Sequence, residues 1–157
     1  MVDLIGWGQG LIQSYGLLGL FFIVLITSAS VIVAVPGWMF VIIAGYFYHP
    51  LAVALVAAVA GTLGEYTSYL LGRGGNYIIE KKKIANLEKI EGWFKKYGFI
   101  LFPIFAAGPL PFDILGIIAG TLKYDVWKFF LGTFIGKLIK GLVLAYMGYA
   151  GLAILGP

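Results

Sequence analysis

The chain has 157 residues, 61% of them hydrophobic and only 11% Asp, Glu, Lys or Arg, where a soluble domain carries about a quarter. No charged residue occurs from Leu4 to Gly64, which excludes a water-facing surface there and marks an integral membrane protein. With no cysteine and His49 as the single histidine, disulfides, thiolate chemistry and a histidine metal cluster are excluded, and neither metal nor cofactor is expected.

Met1-Val2-Asp3 lacks the basic opening of a signal peptide, so the first apolar segment is expected to be retained. Leu11–Val35 is long enough to cross a bilayer and stops at Pro36-Gly37. Trp38–Tyr48 has only 11 residues and ends at His49-Pro50, after which Leu51–Gly72 is again long enough to cross. Tyr97–Gly108 has 12 residues and stops at Pro109-Leu110-Pro111. Eleven more run to Leu122, and Val126–Ala150 can cross. Eleven helical residues rise about 16 Å, half of a hydrocarbon core near 30 Å. A helix that stops there must turn back or meet another partial helix, with its broken backbone shielded from lipid. Two re-entrant hairpins are predicted, their tips at Pro36, Gly37 and Trp38 and at Pro109 and Pro111.

The halves repeat. Residues 36–45 read PGWMFVIIAG and residues 111–120 read PFDILGIIAG, five of ten positions matching at an offset of 75. The same offset sets Gly61 against Gly136, Leu63 against Leu138 and Glu65 against Lys140. One residue of slippage aligns Gly72 with Gly148 and Gly75 with Gly151, and Tyr15-Gly16 answers Tyr97-Gly98. Each unit is then a re-entrant hairpin followed by one span. A single crossing per unit inverts the second relative to the first, as in transporters whose broken helices meet near the midplane. The predicted fold is an all-α integral membrane protein forming one membrane domain over residues 1–157. It comprises repeat 1 at about 11–75, an amphipathic interfacial helix at about 76–96, and repeat 2 at about 97–151.

In that connector Ile84, Leu87, Ile90 and Phe94 recur at helical spacing, with Lys82, Lys89, Lys95 and Lys96 available to the other face. The pattern fits a helix lying on an anionic leaflet; a solvated connector packed on its own protein is the alternative. Six of the 11 basic residues fall between Lys81 and Lys96, just after Arg73. Basic loops stay inside, so residues 73–96 are placed in the cytoplasm and the protein in the cytoplasmic (plasma) membrane. Lys123 and Lys128 then sit at the cytoplasmic mouth. The basic stretch is short, interrupted by Glu80, Glu88 and Glu91 and adjacent to spans, so no nucleic-acid partner is expected.

Gly61-Thr-Leu-Gly64-Glu65-Tyr66, followed by Tyr69-Leu-Leu-Gly72-Arg73-Gly-Gly75, resembles the glycine-acidic-tyrosine-GR signature of the DedA family, within the wider VTT (SNARE-associated Golgi protein) superfamily. The Pro36-Gly37 and Pro109-Leu-Pro111 breaks and Ala119-Gly120 fit the same pattern, and the resemblance runs from about Tyr15 to Gly151. It implies two opposed re-entrant hairpins and the movement of lipids between leaflets. The lipids in bacterial relatives are polyprenyl phosphate carriers, and in eukaryotic relatives phospholipids. This chain departs from many bacterial members. Trp38 stands where they carry an acid after the first Pro-Gly, and Ala106 and Phe112 stand where they carry arginines. The resemblance stops short of an additional C-terminal span common among relatives.

Ionisable groups inside apolar spans cost about 2.5–3.5 kcal/mol each even on insertion scales, so each requires a reason. Lys137 and Lys140, three apart, share a helix face near Gly132, Gly136 and Gly141. Two ammonium groups there suit a phosphate headgroup, with snorkelling to the interface the simpler alternative. Glu65 is expected to meet Lys140 across the pseudo-two-fold axis, as a static ion pair or as a protonatable gate. Asp113 either complements the positive end of the half-helix opened by Pro111 or binds a proton or cation. Arg73 either anchors a span end or contacts a headgroup, and Trp38 packs between hairpins.

No catalytic constellation is present, and the chain is not expected to be an enzyme. The expected function is a lipid transporter or scramblase moving an anionic, phosphate-bearing lipid, with Lys140, Lys137 and Arg73 at the headgroup and Glu65 and Asp113 gating or coupling. The alternatives are a proton- or ion-coupled carrier of a small solute and a non-transporting assembly factor. Membrane lipids are the expected partners, protons or a cation further candidates, and a homodimer a guess from the small mass around two hairpins.

Overall fold

The computed structural model describes residues 4–30, 37–74, 92–94, 96–108 and 112–155. Their elements are all helical: α1 (Leu4–Tyr15), α2 (Leu17–Ala29), α3 (Gly37–Phe47), α4 (Pro50–Arg73), a 3-10 turn Gly98–Ile100 leading into α5 (Leu101–Ala107), α6 (Phe112–Thr121) and α7 (Val126–Leu155). Among the described residues only α4 and α7 are long and apolar enough to cross a membrane. Pro36, Pro109 and Pro111, and the connector apart from residues 92–94 and 96, lie outside the described residues. Where the connector is described, Phe94 is buried and packs edge-on to Phe102 and Tyr124.

One expectation needs correction. Leu11–Val35 reads as a single crossing segment, but it is divided between α1 and α2. Gly16 takes φ 59° and ψ −135°, a region open essentially to glycine, and the chain changes direction there. Thr27 donates to the Ile23 carbonyl at 2.8 Å and Ser30 to the Ile26 carbonyl at 3.1 Å, and helical geometry stops at Ser30. The 13 residues of α2 rise about 20 Å, less than a hydrocarbon core.

The two long helices form the centre and run antiparallel, Gly61 of α4 against the Lys137 stem and Gly141 of α7 against Ala54. Each is flanked by two short helices: α2 and α6 pack on α4, and α3 and α5 pack on α7. Equivalent contacts recur in the two halves. A Cβ on Gly72 would strike the Ile117 carbonyl, and one on Gly148 the Ile42 carbonyl. Reciprocally, Gly120 lies against the Tyr69 carbonyl and Gly45 against that of Ala145. Gly98, at φ 49°, repeats the left-handed start of Gly16. A Tyr hydroxyl stands 3.4 Å from the Cβ position of each, Tyr48 at Gly16 and Tyr124 at Gly98. Both long helices are also capped alike, the Leu51 amide donating to His49 Nδ1 at 3.3 Å and the Lys128 amide to Asp125 Oδ1 at 2.9 Å.

Two apolar clusters fill the ends of this arrangement. One is aliphatic, built around Leu20, Ile23, Ala44, Val53 and Ala145. The other is aromatic, built around Tyr69, Phe94, Phe102, Phe112 and Phe129. The outside is apolar too: Leu51, Leu55, Val59 and Leu63 on α4, and Leu131, Ile135, Ile139 and Val143 on α7, are exposed at every fourth position. Continuous apolar stripes facing outward over a packed interior are the surface of a protein dissolved in lipid.

Candidate functional site

A cavity of about 190 Å³ lies between the aliphatic and aromatic clusters, walled by α2, α3, α4, α6 and α7. The sequence makes it polar by spending its few intramembrane charges there: Glu65 from α4, Asp113 from the first turn of α6, and Lys137 and Lys140 from α7 all line it. Glu65 is 6% exposed, and its Oε1 accepts a hydrogen bond from Lys137 Nζ at 2.6 Å. Among the described residues no donor reaches Glu65 Oε2. Lys140, one turn further along α7, makes among the described residues a single long hydrogen bond of 3.4 Å, to the carbonyl of Gly108, the C-cap of α5. Two of its three N–H donors have no partner among the described residues.

The remaining wall comes from α2 and α3. Thr27, Ser28 and Ser30 line one side, Gly37 and Trp38 the other. Gly37 lets the start of α3 close onto the Thr27 side chain, bringing the ends of the two short helices together at the cavity. Because Thr27 and Ser30 donate their hydroxyl hydrogens to helix carbonyls, they can offer a ligand only lone pairs. The strong donors in the cavity are thus the two ammonium groups, whose attraction for an anion is strengthened by the low-dielectric surroundings.

A model of the VTT domain matches residues 35–150. The chain belongs to the VTT-domain family. Over 128 residues it is 31% identical to the Bacillus subtilis (strain 168) protein named "Uncharacterized membrane protein YkoX", a match covering 73% of this chain and 57% of that protein. Over 103 residues it is 21% identical to an uncharacterized protein of Haemophilus influenzae (strain ATCC 51907), covering 62% and 54% respectively. This VTT-domain chain therefore spans a little over half the length of the curated relatives it matches. No solved structure matches it.

Most of the residues singled out from the sequence converge on one place in this VTT-domain protein. Glu65, Asp113, Lys137, Lys140, Gly37 and Trp38 share the cavity. Arg73 does not. It sits in the last turn of α4, donates to the Tyr69 hydroxyl at 3.1 Å and lies 6.0 Å from the centre of that ring. Tyr69 in turn donates to the Tyr124 carbonyl at 2.5 Å, so Arg73 belongs to a tie between the end of α4 and the start of α7. Pro36, Pro109 and Pro111 lie outside the described residues.

The expected partner of Glu65 requires correction: it is Lys137, not Lys140. An offset of 75 sets Glu65 against Lys140, but the contacts of Gly72 with Ile117 and of Gly148 with Ile42 equate the long helices at an offset of 76. At that register Lys137 answers Gly61, the glycine it touches where α4 and α7 cross, and Glu65 is one turn further along α4. At that register the repeat mate of Glu65 is Gly141, and Lys137, three residues before Lys140, is the lysine that reaches the carboxylate. The sequence reading also missed the hydroxyl wall. Its signal was present, since Thr27-Ser28-Ala29-Ser30 is a hydroxyl cluster closing an otherwise apolar helix.

Proposed function

We propose that this protein is a lipid transporter or scramblase, not an enzyme, which passes a phosphate-bearing lipid such as a polyprenyl phosphate or a phospholipid between leaflets through the charged cavity. The observation that carries this reading is Lys140, a cation inside the hydrophobic mass with a single long hydrogen bond among the described residues, beside a second lysine in a space large enough for a headgroup. The acyl or prenyl tail stays in the bilayer along the apolar outer stripes. A cavity of this kind also speaks against a tightly packed assembly factor.

The scaffold of this reading is an inverted repeat forming one membrane domain. α2 with α3, and α5 with α6, act as re-entrant hairpins entering from opposite faces, while α4 and α7 cross. The paired glycine contacts, the paired left-handed glycines and the equivalent flanking of both long helices support it. Arg73, Lys123 and Lys128 gather at one end of the antiparallel pair, with the lysines of residues 81–96 following Arg73 in the chain. This distribution supports a cytoplasmic placement of 73–96 in the plasma membrane.

The test is headgroup flipping in proteoliposomes. A charged hydrogen bond contributes about 1.5–3 kcal/mol, so Lys140→Ala should slow the movement of a phosphate-bearing lipid by roughly 10- to 100-fold. Parent-like flipping by that variant overturns the headgroup site. A carrier of a small solute coupled to protons or a cation is favoured by a separate observation, the undonated Glu65 Oε2 opposite Asp113. It would show as uptake that follows a pH gradient and disappears in Glu65→Gln.

A further inference from the structure

Glu65 is buried, and Lys137 occupies only one of its two carboxylate oxygens. Among the described residues no N–H or O–H approaches the other. Among the described residues, the other carboxyl lining the cavity with Glu65 is that of Asp113, in the first turn of α6. Among the described residues the charged groups around this pair are Lys137 and Lys140 from α7, and α2 and α3 contribute Thr27, Ser28, Ser30 and Trp38 as polar lining. Two carboxylates sharing a low-dielectric cavity repel strongly, which favours holding one proton between them. A buried carboxylate oxygen without a donor also carries an uncompensated desolvation penalty. One proton between the two acids removes both difficulties, because the protonated acid becomes the missing donor.

We propose that Glu65 and Asp113 share a single proton, which leaves the cavity with one net positive charge and selects a singly charged phosphate headgroup over a doubly charged one. The charge balance is direct. The carboxyl pair carries one negative charge and the two ammonium groups carry two positive charges, so a phosphodiester anion brings the occupied cavity to neutrality. A phosphomonoester, whose second proton leaves with a pKa of about 6, enters without excess charge only in its singly ionised form. The inference rests on the transporter reading for its cargo, while the shared proton stands on the buried Glu65 oxygen without a donor and on Asp113 in the same cavity.

Two measurements test it independently. The first is infrared spectroscopy of the purified protein at pH 7. The parent should show the C=O stretch of an un-ionised carboxylic acid, and both Asp113→Asn and Glu65→Gln should lose it. Absence of that band from the parent, or its survival in both variants, overturns the shared proton. Asp113→Asn preserves side-chain shape and the Glu65–Lys137 contact, so it keeps the test open if Glu65→Gln fails to fold.

The second measurement compares phosphatidylglycerol with phosphatidic acid in proteoliposomes. At pH 8 the diester should cross at least about tenfold faster, and at pH 5.5 the two rates should converge. The double variant Glu65→Gln/Asp113→Asn, with two net positive charges, should lose the preference at pH 8. A preference unchanged by pH, or unchanged in the double variant, overturns the selection. If neither lipid moves, the transport reading fails, and binding of dimethyl phosphate against methyl phosphate by calorimetry at pH 8 decides the selectivity instead. Dimethyl phosphate should bind at least about tenfold more tightly; equal or reversed affinities overturn it. Tight binding of methyl phosphate combined with no lipid movement would assign the site to free phosphate compounds and overturn the lipid cargo.

Discussion

Lys137, half-buried, pairs with the buried Glu65 at a helix crossing, and the energetics of such pairs are lopsided. Removing one partner strands a charge and costs about 3–5 kcal/mol, whereas removing both can be nearly neutral. Glu65→Leu and Lys137→Met should therefore each lower unfolding stability in detergent or nanodiscs by several kcal/mol, and the double variant by much less. A double-mutant cycle on thermal or steric-trap unfolding checks this, and additive losses would mean that the ion pair carries no coupling. The four charges were legible in the sequence because an ionisable group in an apolar run needs a reason to be there. Their pairing was not legible, since Lys137 and Lys140 differ by less than one helical turn and only the packed register chooses between them. Thr27, Ser28 and Ser30 escaped notice for a different reason. A hydroxyl can satisfy itself on its own helix, as Thr27 and Ser30 do, and so gives no sign of buried cost.

At the scale of elements, the short helices hold their places because backbones meet directly. At Gly72 a methyl group would enter the Ile117 carbonyl, and a backbone cannot rotate aside as a side chain can. Gly72→Ala should cost about 1–3 kcal/mol through forced separation of α4 and α6, read as a lower melting temperature. Gly148→Ala should do the same between α7 and α3. Gly10→Ala, whose Cβ would meet nothing within 4 Å among the described residues, is the control. Element boundaries were read within a few residues wherever proline or glycine clusters broke the pattern, as at His49-Pro50 and after Gly108. The break at Gly16 was not read, because its one glycine stands in an apolar run that also holds Gly10 and Gly19. Only the left-handed backbone sets it apart.

For the whole molecule, orientation in the bilayer is the quantity to measure, and a chain without cysteine is ready for it. Single cysteines at Lys123 and Phe47 lie beyond opposite ends of α4, near the Arg73 and Pro50 ends respectively. A membrane-impermeant thiol reagent applied to intact cells should label Phe47→Cys and leave Lys123→Cys until the cells are opened. The reverse pattern would invert the placement of the basic connector.

The way the short helices flank the long ones has an outcome for any attempt to divide the protein. α4 leans on α2 from its own half and on α6 from the other, and α7 leans likewise on α5 and α3. Cutting the chain within residues 75–91 would leave each fragment with a long helix stripped along one flank. Neither piece would then be self-sufficient, yet each carries what the other lacks. Co-expressed fragments should rescue one another where either alone is degraded, so the molecule behaves as two interlocked partners held on one thread.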